Sequence, residues 1–200
     1  AIDHRLGVLA DPATLDLRDG RRVEVVVLLP TDLAGAHEAG RFEHPEVRAV
    51  IVTGGLDRVF CAGANISMLG LSSHGFKVNF CKFTNETRLS IEDASTSSGQ
   101  RYVAALNGTC AGGGYELALA CDIRIAAADA KIGSPEAKVT SSVTGGAFRL
   151  VQDLVGPGKA MEIIMTGRDV GSEEALRTGL VECVFPSDTF ESETYRLAKQ

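Results

Sequence analysis

The stretch Asn107-Gly-Thr-Cys-Ala-Gly-Gly-Gly-Tyr-Glu-Leu-Ala-Leu-Ala-Cys-Asp122 decides how the rest of the chain is read. Just before it, Tyr102-Val-Ala-Ala-Leu106 is a short continuous apolar run, which predicts a buried strand. The glycines at 112–114 predict a turn, and residues 115–121, rich in Ala and Leu, predict a helix. A strand, a glycine turn and a helix in that order leave backbone N–H groups without acceptors at the helix start, where they favour negative charge. Glycine also lets a ligand approach the backbone, because no Cβ intervenes. Glu116, one turn in, brings a carboxylate to the same spot. Taken alone, the triple glycine reads equally well as a turn that seats a helix on a sheet.

Working outward, Glu46-Val-Arg-Ala-Val-Ile-Val-Thr53 is a nearly continuous apolar run, the pattern of a strand covered on both faces. Gly54-Gly55 then leads into Arg58-Val-Phe-Cys-Ala-Gly-Ala-Asn-Ile66, a second glycine turn after a strand and a second source of backbone donors. Residues 74–93 predict a helix with a partly apolar face formed by Phe76, Phe80, Phe83, Thr87, Leu89 and Ile91. Residues 95–99, Ser-Thr-Ser-Ser-Gly, predict a loop. Toward the N-terminus, 6–10 and 23–29 read as strands, and Thr31 or Asp32 caps a short helix to about residue 39. Downstream, strands are expected at 121–126, 132–136 and 180–185, with helices after Thr144-Gly145-Gly146 through Leu154, at 158–165, from Ser172 to about Gly179, and at 187–200. Glu136 closes the strand at 132–136 directly after a proline, a strand-end position of the kind that often carries chemistry.

Composition narrows the function classes. A chain of 200 residues with 44% hydrophobic residues is expected to form one domain, 1–200, with a substantial core. A net charge of −6 argues against a nucleic-acid binder with a basic face. No apolar run reaches membrane-spanning length, and the opening residues do not read as a leader. The cysteines at 61, 81, 110, 121 and 183 contain no Cys-x-x-Cys pair, and the four histidines form no spaced cluster. No metal site is therefore expected, and the cysteines read as reduced, in a cytoplasmic protein.

Five pieces in register carry a family likeness: Phe60-Cys-Ala-Gly-Ala-Asn-Ile66; Asn107-Gly with Ala111-Gly-Gly-Gly-Tyr-Glu116; Ser134-Pro-Glu136; Gly145-Gly146 with Arg149; and Thr166-Gly167 through Gly179-Leu180-Val181. With these the chain resembles the crotonase (enoyl-CoA hydratase/isomerase) superfamily. A narrower likeness covers residues 41–122, above all Lys77-Val-Asn-Phe-Cys-Lys-Phe-Thr-Asn-Glu-Thr-Arg88, and is to the benzoyl-CoA-dihydrodiol lyase branch. The resemblance implies an α/β fold, a spiral of β-β-α turns in two roughly perpendicular sheets ringed by helices. It implies homotrimers or dimers of trimers, an acyl-CoA thioester as substrate, and no bound cofactor beyond the coenzyme A that the substrate carries.

Residue by residue, the resemblance assigns the backbone N–H groups of Ala64 and Gly113 to an oxyanion hole for the thioester oxygen. It assigns Glu116 and Glu136 to the acid/base pair across the substrate double bond. It nominates Cys81 as an active-site cysteine of the lyase branch, against the plain alternative of a small buried hydrophobe. Cys61 reads as packing, and Asn85, Glu86 and Arg88 as either ring contacts or a solvated helix face. Glu116 has its own bland alternative, a solvated first-turn carboxylate. The chain departs from the family pattern in a short segment at 31–42, in a loop at 137–144 that lacks the usual glycine and proline, and in having no family-type C-terminal helices after Gln200. The leading expectation is hydration or dehydration of an α,β-unsaturated thioester. The alternatives are a ring-opening lyase acting on an epoxide or dihydrodiol of benzoyl-CoA, and a non-catalytic subunit that binds CoA or a partner.

Overall fold

The structure is a computed structural model that describes residues 13–16, 22–28, 47–64, 66–139, 143 and 146–200. The strand expected at 6–10 and the helix expected at 31–39 lie outside the described residues. Strands β1 (Ala13–Asp16), β2 (Arg22–Leu28), β3 (Val47–Thr53), β5 (Arg101–Leu106), β7 (Ile123–Ala127) and β10 (Cys183–Phe185) form a six-stranded sheet in that order. β1 runs antiparallel to β2, and every other pairing is parallel. A parallel interior covered on both faces explains the unbroken apolar runs of β3 and β5. Alternate residues serve opposite sides: Val50, Val52, Tyr102, Ala104 and Leu106 join the main core, while Ile51, Val103 and Ala105 pack with Ile125 and Phe190 on the other face.

A second sheet orders β4 (Val59–Cys61), β6 (Thr109–Ala111), β8 (Lys131–Gly133) and β9 (Asp169–Gly171). β4, β6 and β8 are parallel, and β9 is antiparallel to β8. Each strand has three residues, too few to leave any periodicity. That is why 58–66 and 107–114 read as glycine turns alone. The β4–β6 pairing aligns Cys61 with Cys110 and so sets the two glycine turns side by side.

The helices are α1 (Ile66–Leu71), α2 (His74–Asp93), α3 (Gly113–Ala120), α4 (Ala147–Val155), α5 (Pro157–Thr166), α6 (Ser172–Thr178) and α7 (Phe190–Ala198). α2 spans the expected residues and is capped by Ser73, whose Oγ accepts from the Phe76 N–H at 3.3 Å. Its inward stripe differs from the expected one. Phe76 and Leu89 are 44% and 51% exposed, whereas Thr84, Thr87 and Ile91 are buried and Phe80 packs against the core. Positions 80, 84, 87 and 91 keep helical spacing; Phe80, Thr87 and Ile91 were expected on this face, and Thr84 is the addition, a polar residue that a hydropathy reading leaves outside.

Three further expectations are corrected. Residues 95–99 are not a loop: α2 continues into a π-helical turn, Ala94–Ser98, which ends at Gly99 with φ 73°. Ser/Thr runs read as loop because their hydroxyls compete for the backbone. Here Thr96 Oγ1 donates to the Glu92 carbonyl and Ser98 Oγ to the Ala94 carbonyl, four residues back, which holds the turn wound. The strand expected at 132–136 stops at Gly133, and Glu136 sits on a 3₁₀ turn, Pro135–Lys138, started by a proline whose fixed φ suits a first helical position. The strand expected at 180–185 shortens to β10. Arg124 holds the preceding residues: it is buried, its Nε donates to the Leu180 carbonyl at 3.1 Å, and its guanidinium pairs with Glu182. Among the described residues no helix is long and apolar enough to cross a membrane.

Candidate active site

The site is built where β6 turns into α3. Gly112 has φ 56° and ψ −127°, a conformation that a Cβ makes costly. Its N–H donates to the Gly133 carbonyl at 3.2 Å, and its own carbonyl accepts from the Glu116 N–H at 3.0 Å. That second bond opens α3 at Gly113, two residues earlier than the sequence reading had it. Gly113 therefore stands in the first helical turn, where backbone N–H groups have no intrahelical acceptor. At Gly114 a Cβ would come within 2.1 Å of the Cys61 carbonyl oxygen, so the helix start lies directly on β4.

The second turn meets the first. A Cβ at Gly63 would lie 2.8 Å from the Gly113 nitrogen, and Ala64 follows Gly63. Ala64 and Gly113 thus belong to two backbone segments in contact, both partly exposed. Cys61 is buried and its Sγ accepts from the Gly63 N–H at 3.4 Å, in keeping with a packing role beneath this turn.

Both glutamates converge on α3. Glu116 is only 8% exposed, which rules out the solvated first-turn carboxylate. Being in the first turn, it lies at the positive end of the helix dipole. Glu136 reaches over from the 3₁₀ turn: its Oε1 is 3.1 Å from where a Gly112 Cβ would be. Its Oε2 accepts from the Ser134 hydroxyl at 2.7 Å. Tyr115, between the triple glycine and Glu116 in sequence, is buried, and its hydroxyl has no hydrogen-bond partner among the described residues. Burial first, and then the neighbouring Cys110, push its pKa far up; Arg124 opposes this and Glu136 adds to it, so the phenol stays protonated.

Cys81 lies apart from this cluster. It is exposed on α2 and is not a small buried hydrophobe. It borders a recess with Lys77, Val78, Lys82, Asn85 and Glu86, none of them among the residues above. The Cys81 carbonyl accepts from Thr84 Oγ1 at 3.0 Å and from Asn85 Nδ2 at 2.9 Å. Arg88, two turns on and on the same flank, pairs with Glu92 and reaches Gly146, whose Cβ would be 3.3 Å from the guanidinium Nε. The sequence reading passed over Gly112 and Ser134. The positions were visible in Gly-Gly-Gly and Ser-Pro-Glu, but not which glycine bends or that the serine turns back on the glutamate.

Two glycine turns in contact, one opening a helix, beside two carboxylates suit chemistry in which a carbonyl oxygen gains negative charge while a proton moves nearby. Comparison with known proteins gives the family. The family model described as enoyl-CoA hydratase/isomerase matches residues 29–200. A benzoyl-CoA-dihydrodiol lyase of Aromatoleum evansii is 67% identical over 91 residues, 46% of this chain and 16% of that protein. A crotonyl-CoA hydratase of Syntrophomonas wolfei is 34% identical over 156 residues, 78% of this chain and 58% of that protein. The chain thus spans less than two thirds of either relative. The crystal structure of an enoyl-CoA hydratase from Bacillus anthracis superposes with a TM-score of 0.82 at 30% identity, over 96% of this chain and 75% of that one. By its sequence and by its fold, this chain belongs to the enoyl-CoA hydratase/isomerase family, the crotonases.

Proposed function

We propose that this protein adds water reversibly to an α,β-unsaturated acyl-CoA thioester. Water oxygen bonds to the β-carbon, the double bond's electrons pass to the thioester oxygen as an enolate, and a proton then closes the α-carbon. The Ala64 and Gly113 N–H groups hold the enolate oxygen, each donor contributing a few kcal/mol in a typical oxyanion hole. Glu116 and Glu136 share the proton traffic, one activating water and the other serving the α-carbon. The observation that carries this reading is Glu136 Oε1 lying over Gly112 where the Gly63 turn touches Gly113. Coenzyme A enters as part of the substrate, and the reaction consumes only water. A homotrimer or dimer of trimers in the cytoplasm completes the proposal.

The high identity to benzoyl-CoA-dihydrodiol lyase favours a second reading, ring opening of an epoxide or dihydrodiol of benzoyl-CoA with Glu136 and Cys81. Mass spectrometry after incubation with crotonyl-CoA, a longer enoyl-CoA and the benzoyl-CoA epoxide or dihydrodiol separates the readings. Gain of one water on the enoyl thioesters is the expected result. Ring opening with loss of a one-carbon fragment would establish the lyase. Retained CoA with no change in any thioester would leave a non-catalytic subunit.

A further inference from the structure

We infer that Ser134 is a positioning residue that fixes the working orientation of the Glu136 carboxylate. This rests on the reading of Glu136 as an acid/base group. The Ser134 hydroxyl donates to Glu136 Oε2 at 2.7 Å and is buried with its residue only 1% exposed. A hydroxyl can donate one proton, and this one is spent on Oε2. The bond reaches back only two residues, across the proline that starts the 3₁₀ turn, so the backbone between donor and acceptor is short and conformationally restricted. With Oε2 tethered, Oε1 is the oxygen left at Gly112, beside the first turn of α3. The carboxylate is thereby divided into a held oxygen and a working oxygen.

The surroundings give the tether a clear purpose. Glu136 is only partly buried, on a four-residue turn, and its side chain has several rotamers to choose from. A misplacement of about 1 Å at a reacting group is enough to cost roughly 100-fold in rate. Gly112 sets the other side of the slot, since a Cβ there would stand 3.1 Å from Oε1.

The test compares Ser134→Ala and Ser134→Thr with the parent, using crotonyl-CoA turnover, melting temperature and crystal structures. Loss of the hydroxyl should lower kcat at least ten-fold with KM within about two-fold, because binding through CoA is untouched. Ser134→Thr should recover most of that loss, and both variants should melt close to the parent. In crystals of Ser134→Ala, the Glu136 carboxylate should leave Gly112. Unchanged kcat in Ser134→Ala, or a carboxylate still seated against Gly112, would overturn the inference. An inactive parent would instead sink the functional reading, and the carboxylate's position in the two variants would still decide whether Ser134 holds it.

Discussion

At the scale of single residues, the two glutamates stand on different supports. Glu116 is buried on a helix, and Glu136 is tethered on a short turn. Glu116→Gln and Glu136→Gln should each lower kcat on an enoyl-CoA by about 100-fold or more, the usual weight of a positioned acid or base, while CoA still binds. Steady-state kinetics with a CoA-binding assay checks both halves. Gly114→Ala belongs to stability: with the Cys61 carbonyl 2.1 Å from the new Cβ, the helix start must leave β4. A loss of about 3 kcal/mol or more is expected in denaturant melts, as for severe overpacking. Residue types were legible in the sequence, since Gly-Gly-Gly-Tyr-Glu and Ser-Pro-Glu announce a turn and two carboxylates. The roles of Gly112 and Ser134 were not, because they depend on a φ of 56° and on a side chain folding back over a proline.

At the scale of elements, α2 poses the sharpest question about substrate. Its outer flank carries Cys81 with Lys77 and Lys82, and its inner stripe packs the core. Hydration should survive Cys81→Ala within about two-fold, whereas ring opening by the lyase route should fall by about 100-fold if the thiol takes part. Parallel assays on crotonyl-CoA and a benzoyl-CoA dihydrodiol distinguish the two. Between β7 and β10, Arg124→Met should destabilise by about 2–3 kcal/mol in urea melts, because the Cys121 and Leu180 carbonyls lose a buried donor. Long elements were legible: residues 74–93 and the run at 102–106 have enough length for periodicity or apolar continuity to speak. Of the three-residue strands of the second sheet, β8 was anticipated within 132–136, but β4, β6 and β9 were not, since backbone pairing across distant segments makes them, and the polar Ser/Thr run at 95–98 misled because hydroxyls can serve a helix as readily as a loop.

At the scale of the whole molecule, a charge clamp ties α5 to α6 across β9. The Arg168 guanidinium bonds both Glu162 and Glu174, and Lys159 also pairs with both carboxylates. Arg168 first, then Lys159, hold both carboxyls at about 2, below their ordinary value, against the opposing effect of burial. A folded-state pKa below the unfolded one means stability that is present above the ordinary carboxylate range and is lost as pH falls toward about 2. The melting temperature should therefore drop between about pH 5 and pH 2, and drop less in Arg168→Met. The clamp is screened by solvent, so added salt should narrow the difference. The architecture was legible through register of motifs: turns, carboxylates and glycines recur in family order. What sequence alone left unread is how the β4–β6 pairing brings two glycine turns, far apart in the chain, into contact.

The most direct measurement is mass spectrometry of crotonyl-CoA incubated with the parent protein and with the Glu116→Gln/Glu136→Gln double variant. Gain of one water with the parent, and none with the double variant although it retains CoA, is the result this account predicts. Equal hydration by both proteins would contradict it, since the water would then be added without the two carboxylates on which the site is built.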